Sequence, residues 1–415
     1  MATSCVHMMG SLALSISCLI IINTIAAADE QRRLLQAETV FDITKYGAKG
    51  DGTTDDAMSL IQAWRAGCES TGGGGDFGPA REILDGGSSP KERCKATPPM
   101  IIDIQSTLLE NPNPSAYSNE KWILIEHADN LKITGGGTLN TQGANAWKFA
   151  KEEARMPVSF TFQSSQNGDI SNLNLVDAMG FHSKLIDSSN IKVTKMTITA
   201  PDESPNTDGI HLSNATNVEI TDSVIGTGDD CISIGTCSKN ILVKNVKCGP
   251  GHGLAVGSFG KHPYELSVGN ITFCSCTLTG TTNGARIKSY HKSLVMTATN
   301  IVFEDLTLDS VKNPIIIDQH YFSKMVAEQS NVKISDVHFR RIKGTTTSEI
   351  PIMFNCSTTN PCENTELADI DLKPVGGCQD RLICLSERHR NQAFRHCHPS
   401  SSHLLGFLLT SKRME

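Results

Sequence analysis

Asn190-Ile191-Lys192-Val193-Thr194-Lys195-Met196-Thr197-Ile198 is the phrase whose repetition decides the fold. It reads Asn, apolar, any, apolar, two of any, apolar, any, apolar. It returns at Asn217, where the second half slips by one residue, and in cleaner copies at Asn240, Asn270, Asn300 and Asn331. Weaker copies begin at Asn130 and Asn167. From Asn167 onward the intervals are 23, 27, 23, 30, 30 and 31 residues. β-Branched residues alternating over four to five positions form a short strand with one buried face. Recurrence at such intervals means stacked supersecondary units. The two-residue period excludes helical solenoids, and no fixed Leu positions support a leucine-rich repeat. The solution left is an all-β parallel β-helix with one coil per repeat, expected to be right-handed. An Asn at one place in every coil predicts an internal side-chain ladder at a turn.

Outward from the repeat, one segment breaks the strand pattern. Thr54 or Asp55 is placed to cap a helix from Ala57 to about Cys68, with Met58, Leu60, Ile61 and Trp64 on its apolar side. Such a helix would cover the open end of the solenoid. Gly72–Thr97 is rich in Gly, Pro and charge and reads as a loop, and beyond about Gly376 the repeat fades. The expected organisation is a signal peptide over 1–28, a linker over 29–39, a β-helical catalytic domain over 40–375 and an atypical segment over 376–415. The first 28 residues carry no Asp, Glu, Lys or Arg and run through an apolar core to Ala26-Ala27-Ala28. No Lys or Arg precedes that core, but the core is shorter than a bilayer requires. Secretion is therefore expected, with no membrane association after cleavage. Of 14 Cys, two fall in this leader. The remainder, in a secreted chain, imply disulfides. Sequons at Asn214, Asn270 and Asn355 fit the same compartment. The net charge of −7 gives no basic excess, which argues against a nucleic-acid partner. A polyanionic substrate would need a local positive patch.

Four motifs fall on successive repeats: Asn206-Thr207-Asp208-Gly209, Gly228-Asp229-Asp230-Cys231, Gly251-His252-Gly253 and Arg286-Ile287-Lys288. Asp208 to Asp229 is 21 residues and Asp229 to His252 is 23, each about one coil. The 34 residues from His252 to Arg286 fit one coil with a longer loop. Neighbours on a regular strand point to opposite faces, so Asp229 and Asp230 can share a site only if the backbone bends, and Gly228 offers that freedom. Glycosidic hydrolysis needs a protonated acid at the leaving oxygen and a carboxylate that activates water. Three clustered Asp repel one another, so at least one pKa should rise. Arg286 and Lys288, two apart, share a strand face and can hold a uronate carboxylate. Each motif alone is commonplace: Asp-Gly is usually a turn, and Arg-x-Lys a solvated strand. Their registry at one-coil spacing is what points to a site.

In this order the motifs resemble the signature of the polygalacturonases, glycoside hydrolase family 28. The resemblance spans roughly residues 40 to 375 and includes the stretch from Phe41 to Asp56. Pro114–Tyr117 and Gly135–Thr138 resemble the pollen-type exo-acting group. The family implies a metal-independent, cofactor-free, inverting hydrolysis of polygalacturonate in the cell wall, here by a monomer. By motif, Asp229 would be the general acid, Asp208 and Asp230 would activate water, and His252 would support the acid's protonation. Asn206, Arg286 and Lys288 would bind substrate. Cys231–Cys248 and Cys356–Cys362 resemble family disulfides, whereas Cys237 departs from the pattern. The alternatives are a Ca²⁺-dependent pectate lyase on a similar scaffold and a non-catalytic pectin-binding wall protein.

Overall fold

The computed structural model describes residues 40–70, 75–76, 82–85, 100–117, 120–150, 156–322, 329–376, 383–388 and 395–396. The expected leader and linker lie outside these residues. Strands stack in parallel register from coil to coil, so each turn of chain adds one rung to each face of a β-helix. One face is a nine-stranded sheet: β1 (Lys121–Glu126), β2 (Val158–Gln163), β3 (Ser183–Ile186), β4 (Ile210–Ser213), β5 (Asp230–Ile234), β6 (Gly253–Phe259), β7 (Asn283–Tyr290), β8 (Asn313–Tyr321) and β9 (Ile352–Asn355). Two further stacks carry the repeated phrase. Its first half forms strands such as Ser189–Thr194, and its second half strands such as Thr197–Thr199.

Alternation does the sorting. Ile191, Val193 and Ile198 point into the core and are essentially inaccessible, while Lys192 between them stays exposed. Three of the phrase's apolar positions carry Phe273, Phe303 and Phe339, which stack nearly parallel with ring centroids 4.8 and 5.4 Å apart. Full burial of each is worth about 1.5–3 kcal/mol.

The asparagine ladder exists, but on the outside. Asn130, Asn167, Asn190, Asn217, Asn240, Asn270 and Asn300 all sit at φ between 54° and 58° and are solvent-exposed. From Asn167 onward, each side-chain amide donates to the preceding Asn Oδ1, at distances from 2.7 to 3.4 Å. The left-handed backbone explains the residue type, because Asn tolerates it better than other side-chain-bearing residues. Asn331 is not the next rung. Strand register places Val337 beside Ile301 and Phe339 beside Phe303, so Asp336 occupies the Asn300 position, at φ 57°. Asn364 then donates to Asp336 at 2.8 Å. Asn331 instead donates to the Ser293 carbonyl at 2.8 Å.

The capping helix, α1 (Ala57–Glu69), forms with Ser59, Ala63, Trp64, Gly67 and Cys68 buried. Met58 is 58% exposed, contrary to the expectation that it joins the apolar side. The N-cap is Asp56 rather than the expected Thr54 or Asp55, and its side chain makes no cap bond; the Ala57 amide is satisfied by Asp55 Oδ1 at 3.0 Å. Asp56 is buried and accepts instead from the Lys49 and Gly50 amides, each at 2.9 Å, pinning the preceding turn. The stretch expected as loop over Gly72–Thr97 contains two short strands, Gly75–Asp76 and Glu82–Asp85, which pair in parallel with neighbouring strands. At the other end, Ile383–Arg388 pairs antiparallel with Glu363–Pro374, which is where the parallel repeat stops.

Candidate active site

The outer face of the nine-stranded sheet brings the four motifs together. Asp208 lies just before β4, Asp229 just before β5, Asp230 opens β5, His252 precedes β6, and Arg286 and Lys288 lie on β7. The β5–β6 pairing shifts register between Asp230 and Ile232. That irregularity lets adjacent aspartates serve one site, because the ladder begins only after Asp229. Gly228 is not at positive φ, so its expected role as a bend is corrected. A Cβ there would lie 2.0 Å from the Ser204 carbonyl oxygen, so glycine is needed for the close approach of two coils. His252 is framed by Gly251 and Gly253, at φ 128° and 81°, and a Cβ on Gly253 would meet the Asn283 oxygen at 1.9 Å. Asn283 in turn donates to the His252 carbonyl at 3.1 Å and steadies that turn.

His252 Nδ1 lies 2.8 Å from Asp229 Oδ1. Lys288 donates to Asp230 Oδ2 at 2.5 Å, with both side chains almost wholly buried. Asp208 Oδ2 accepts from the Ser233 hydroxyl at 2.8 Å. Facing atoms of Asp229, Asp230 and His252 lie within 4.8 Å of one another. Arg286 and Lys288 both stand over the Tyr321 ring, 5.0 and 5.3 Å from its centroid. Arg286 Nε and Asp230 Oδ1 are buried without a hydrogen-bond partner among the described residues. Asn206 occupies an exposed left-handed turn, φ 55°, two residues before Asp208.

Burial raises Asp208 well above the usual carboxylate range, and the charges of Asp229 and Asp230 push the same way. Burial also raises Asp230, with Lys288 opposing. For Asp229, burial pushes up, but the His252 hydrogen bond and charge, with Lys288, outweigh it and leave the carboxyl lowered. The hydrogen bond to Asp229 raises His252 against its partial burial. Lys288 is raised: Asp230 more than offsets the burial that would depress it. The repulsion expected among three Asp is therefore real, but in the free protein it falls on Asp208 and Asp230 rather than on Asp229.

Three groups escaped the sequence reading. His182 is fully buried against the Asp208 carbonyl, and burial lowers its pKa to about 4. His211 Nδ1 lies 2.7 Å from Ser233 Oγ, and burial with the nearby Lys184 and Lys288 charges lowers it to about 3. Tyr321 backs the two cations. A one-coil spacing of 22 residues from His211 to Ser233 was the signal available for that pair.

Among the described residues, Cys231 is bonded to Cys248 and Cys356 to Cys362, and Cys68 is also disulfide-bonded. Cys237, Cys274 and Cys276 are free thiols among the described residues. Asn214 donates to Asp187, Asn270 to Asn240 and Asn355 to Asp318, at 2.8, 2.7 and 3.0 Å, so every sequon amide already serves a rung.

An outward sheet face that gathers acids, an imidazole and cations on consecutive rungs defines a β-helical carbohydrate-active site working by carboxylates. Residues 85–390 match the family model for glycosyl hydrolases family 28. An exopolygalacturonase of Arabidopsis thaliana is 40% identical over 343 residues, covering 81% of this chain and 80% of its own. An exopolygalacturonase of Platanus acerifolia is 35% identical over 356 residues, covering 83% and 93%. Among solved structures, an endo-xylogalacturonan hydrolase from Aspergillus tubingensis superposes with a TM-score of 0.70 at 23% identity, covering 80% of this chain and 92% of its own. The chain belongs to glycosyl hydrolase family 28.

Proposed function

We propose that this chain is a pectin-degrading polygalacturonase in which Asp229 protonates the glycosidic oxygen while Asp208 and Asp230 handle the attacking water. Family membership and the named relatives support hydrolysis of polygalacturonate. The observation that carries the residue roles is the paired arrangement of Asp229 with His252 and Asp230 with Lys288 in one cluster. In the free protein the proton shared by the first pair rests on His252. Substrate seated in the cleft excludes water, which disfavours an ion pair and favours its neutral form, with the proton on Asp229. Bond cleavage then moves that proton to the leaving oxygen as water attacks the anomeric carbon from the opposite face, inverting it. Asp230 Oδ1, buried and unpaired, is available to orient the water. Arg286, with an unpaired Nε, takes the uronate carboxylate beside Lys288, and Asn206 contacts the sugar.

Similarity to the two exopolygalacturonases supports exo action. Secretion to the cell wall, a monomeric state and glycans on Asn214, Asn270 and Asn355 belong to the same reading, as do the domain bounds at 28, 39 and 375. The decisive experiment compares wild-type protein and Asp229→Asn on polygalacturonate, scoring reducing ends and product size. The variant should lose about 10²–10⁴ in kcat while keeping its circular dichroism. Monomer as the first product marks exo action, and mixed oligomers mark endo. Undiminished turnover in a folded Asp229→Asn protein removes the assignment.

The Asp229–Asp230–His252 cluster also has donor atoms close enough for a cation, which is what a Ca²⁺-dependent lyase would need. Calcium takes 6–8 oxygen ligands, whereas here Lys288 already neutralises Asp230 and an imidazole supplies the third donor. Unsaturated, ultraviolet-absorbing product that vanishes with chelator would favour the lyase, and pectin binding with no sugar release the non-catalytic protein.

A further inference from the structure

We propose that Ser233, backed by His211, is a positioning residue that fixes Asp208 as the base accepting the proton of the attacking water. The inference rests on the hydrolase reading above and concerns which of the two remaining carboxylates takes that proton.

Asp208 and Asp230 differ in their partners. Asp230 is pinned through Oδ2 by a buried ammonium. Burial raises Asp230, but the ammonium opposes that rise and favours its anion, which makes it the poorer resting place for a proton. Among the described residues Asp208 accepts no hydrogen bond from a cation; its partner is the neutral Ser233 hydroxyl, at 2.8 Å on Oδ2. Ser233 is itself buried and lies 2.7 Å from His211 Nδ1. The chain His211–Ser233–Asp208 runs across two rungs, with His211 on β4 facing Ser233 on β5 in strand register. Phe181 packs edge-on against the His211 ring, centroids 5.4 Å apart, and holds its orientation.

The proton count closes. With Asp208 ionised, Ser233 donates to Oδ2 and must receive from His211 as its Nδ1–H tautomer. Water attack forms the new carbon–oxygen bond as the glycosidic bond breaks. Water's proton then goes to Asp208, while the leaving oxygen takes its proton from the Asp229–His252 pair. Oδ2 is held by Ser233, which leaves Oδ1 for the water. His211 stays neutral throughout, since burial and the Lys184 and Lys288 charges oppose its protonation.

The groups facing Asp208 are Asp229, Asp230, Lys288 and Ser233 at its carboxyl, with His182 against its carbonyl. Burial and the two aspartates raise Asp208, while Lys288 and Ser233 lower it. Ser233 is thus one of two groups that favour the ionised base against that rise. Removing its hydroxyl takes away a hydrogen bond to the charged form, so the acid limb of the kcat profile should move to higher pH.

The test uses the full chain on polygalacturonate, with Ser233→Ala, Ser233→Thr and His211→Gln. A hydrogen bond to a charged group is worth about 1.5–3 kcal/mol, so Ser233→Ala should lower kcat about tenfold or more. KM should stay within about twofold, and the acid limb should rise by about one pH unit. Ser233→Thr keeps the hydroxyl and should restore most of both. His211→Gln should shift the limb the same way by less, and serves if Ser233→Ala does not fold. An unmoved acid limb in folded Ser233→Ala or His211→Gln, or a loss confined to KM, overturns the proposal while leaving the hydrolase reading intact. Absence of sugar release by the wild type, with polygalacturonate still bound, overturns both.

Discussion

Lys288 shows how one residue joins folding to chemistry. Its ammonium and the Asp230 carboxylate are buried together, so neither can be removed without leaving the other uncompensated. Breaking such a pair costs about 3–5 kcal/mol when the orphaned charge persists. In Lys288→Met, Asp230 has burial and the Asp229 charge acting upward, and keeps only Arg286 of its named cations. Its folded pKa should rise further, and protonation then relieves the cost. Thermal unfolding should therefore show a large loss of stability near neutral pH that shrinks as pH falls through the raised value; an equal loss at both ends would mean packing alone is lost. His252 gives the opposite signature. Its folded pKa is raised above the ordinary 6.5. The Asp229 contact thus stabilises fully below 6.5 and fades as pH rises through the raised value. Activity should carry a basic limb above pH 6.5, because the pair then loses the proton it delivers. In His252→Ala, Asp229 must hold that proton alone, and the basic limb should move acidward in a kcat/KM profile.

At the scale of the element, the external asparagine ladder is the feature most open to test. Asn240 donates to Asn217 and accepts from Asn270, at φ 57°. Asn240→Ala loses both bonds and places a Cβ-bearing residue without a polar side chain in the left-handed region, which costs about 1–2 kcal/mol. Asn240→Gly loses the same bonds without that strain. Denaturant unfolding should rank wild type above Gly above Ala; equal losses would assign the whole effect to the ladder bonds. The same ladder explains what the sequence could and could not reveal. A left-handed turn once per coil demands Asn or its substitutes, so Asn190, Asn217, Asn240, Asn270 and Asn300 announce the coils directly. Asn331 misleads because Asp336 fills the position and Asn331 merely resembles it five residues early. The motif acids were legible because the solenoid converts sequence spacing into rungs. Ser233 and His211 were not, since a serine and a histidine on a strand have no distinctive neighbours. Only the register, His211 opposite Ser233, gives them meaning. Likewise the shift between Asp230 and Ile232, which lets two adjacent aspartates converge, is a ladder irregularity and leaves no mark in residue type.

For the whole molecule the question is how a chain of net charge −7 captures a polyanion. Two fields compete. The summed charge repels polygalacturonate at long range, while Arg286, on the face that also carries Lys184, attracts it at short range. Screening separates them by distance. At about 0.01 M salt the Debye length is about 30 Å, so the approaching polymer feels much of the protein's net charge. At about 0.15 M it is about 8 Å, and only cations near the cleft still act. Near 1 M even contacts at about 3 Å are weakened. KM for polygalacturonate near pH 7 should therefore fall as salt rises from about 0.01 to 0.1 M, pass through a minimum, and climb toward 1 M. Arg286→Gln should flatten the climb, since it removes a short-range cation, but leave the initial fall in place. A KM that climbs from the lowest salt onward would mean that the local patch dominates at every range and that the net charge is irrelevant to capture. A KM insensitive to salt would mean that the uronate carboxylates are held through hydrogen bonds alone, and would remove the electrostatic role given to Arg286.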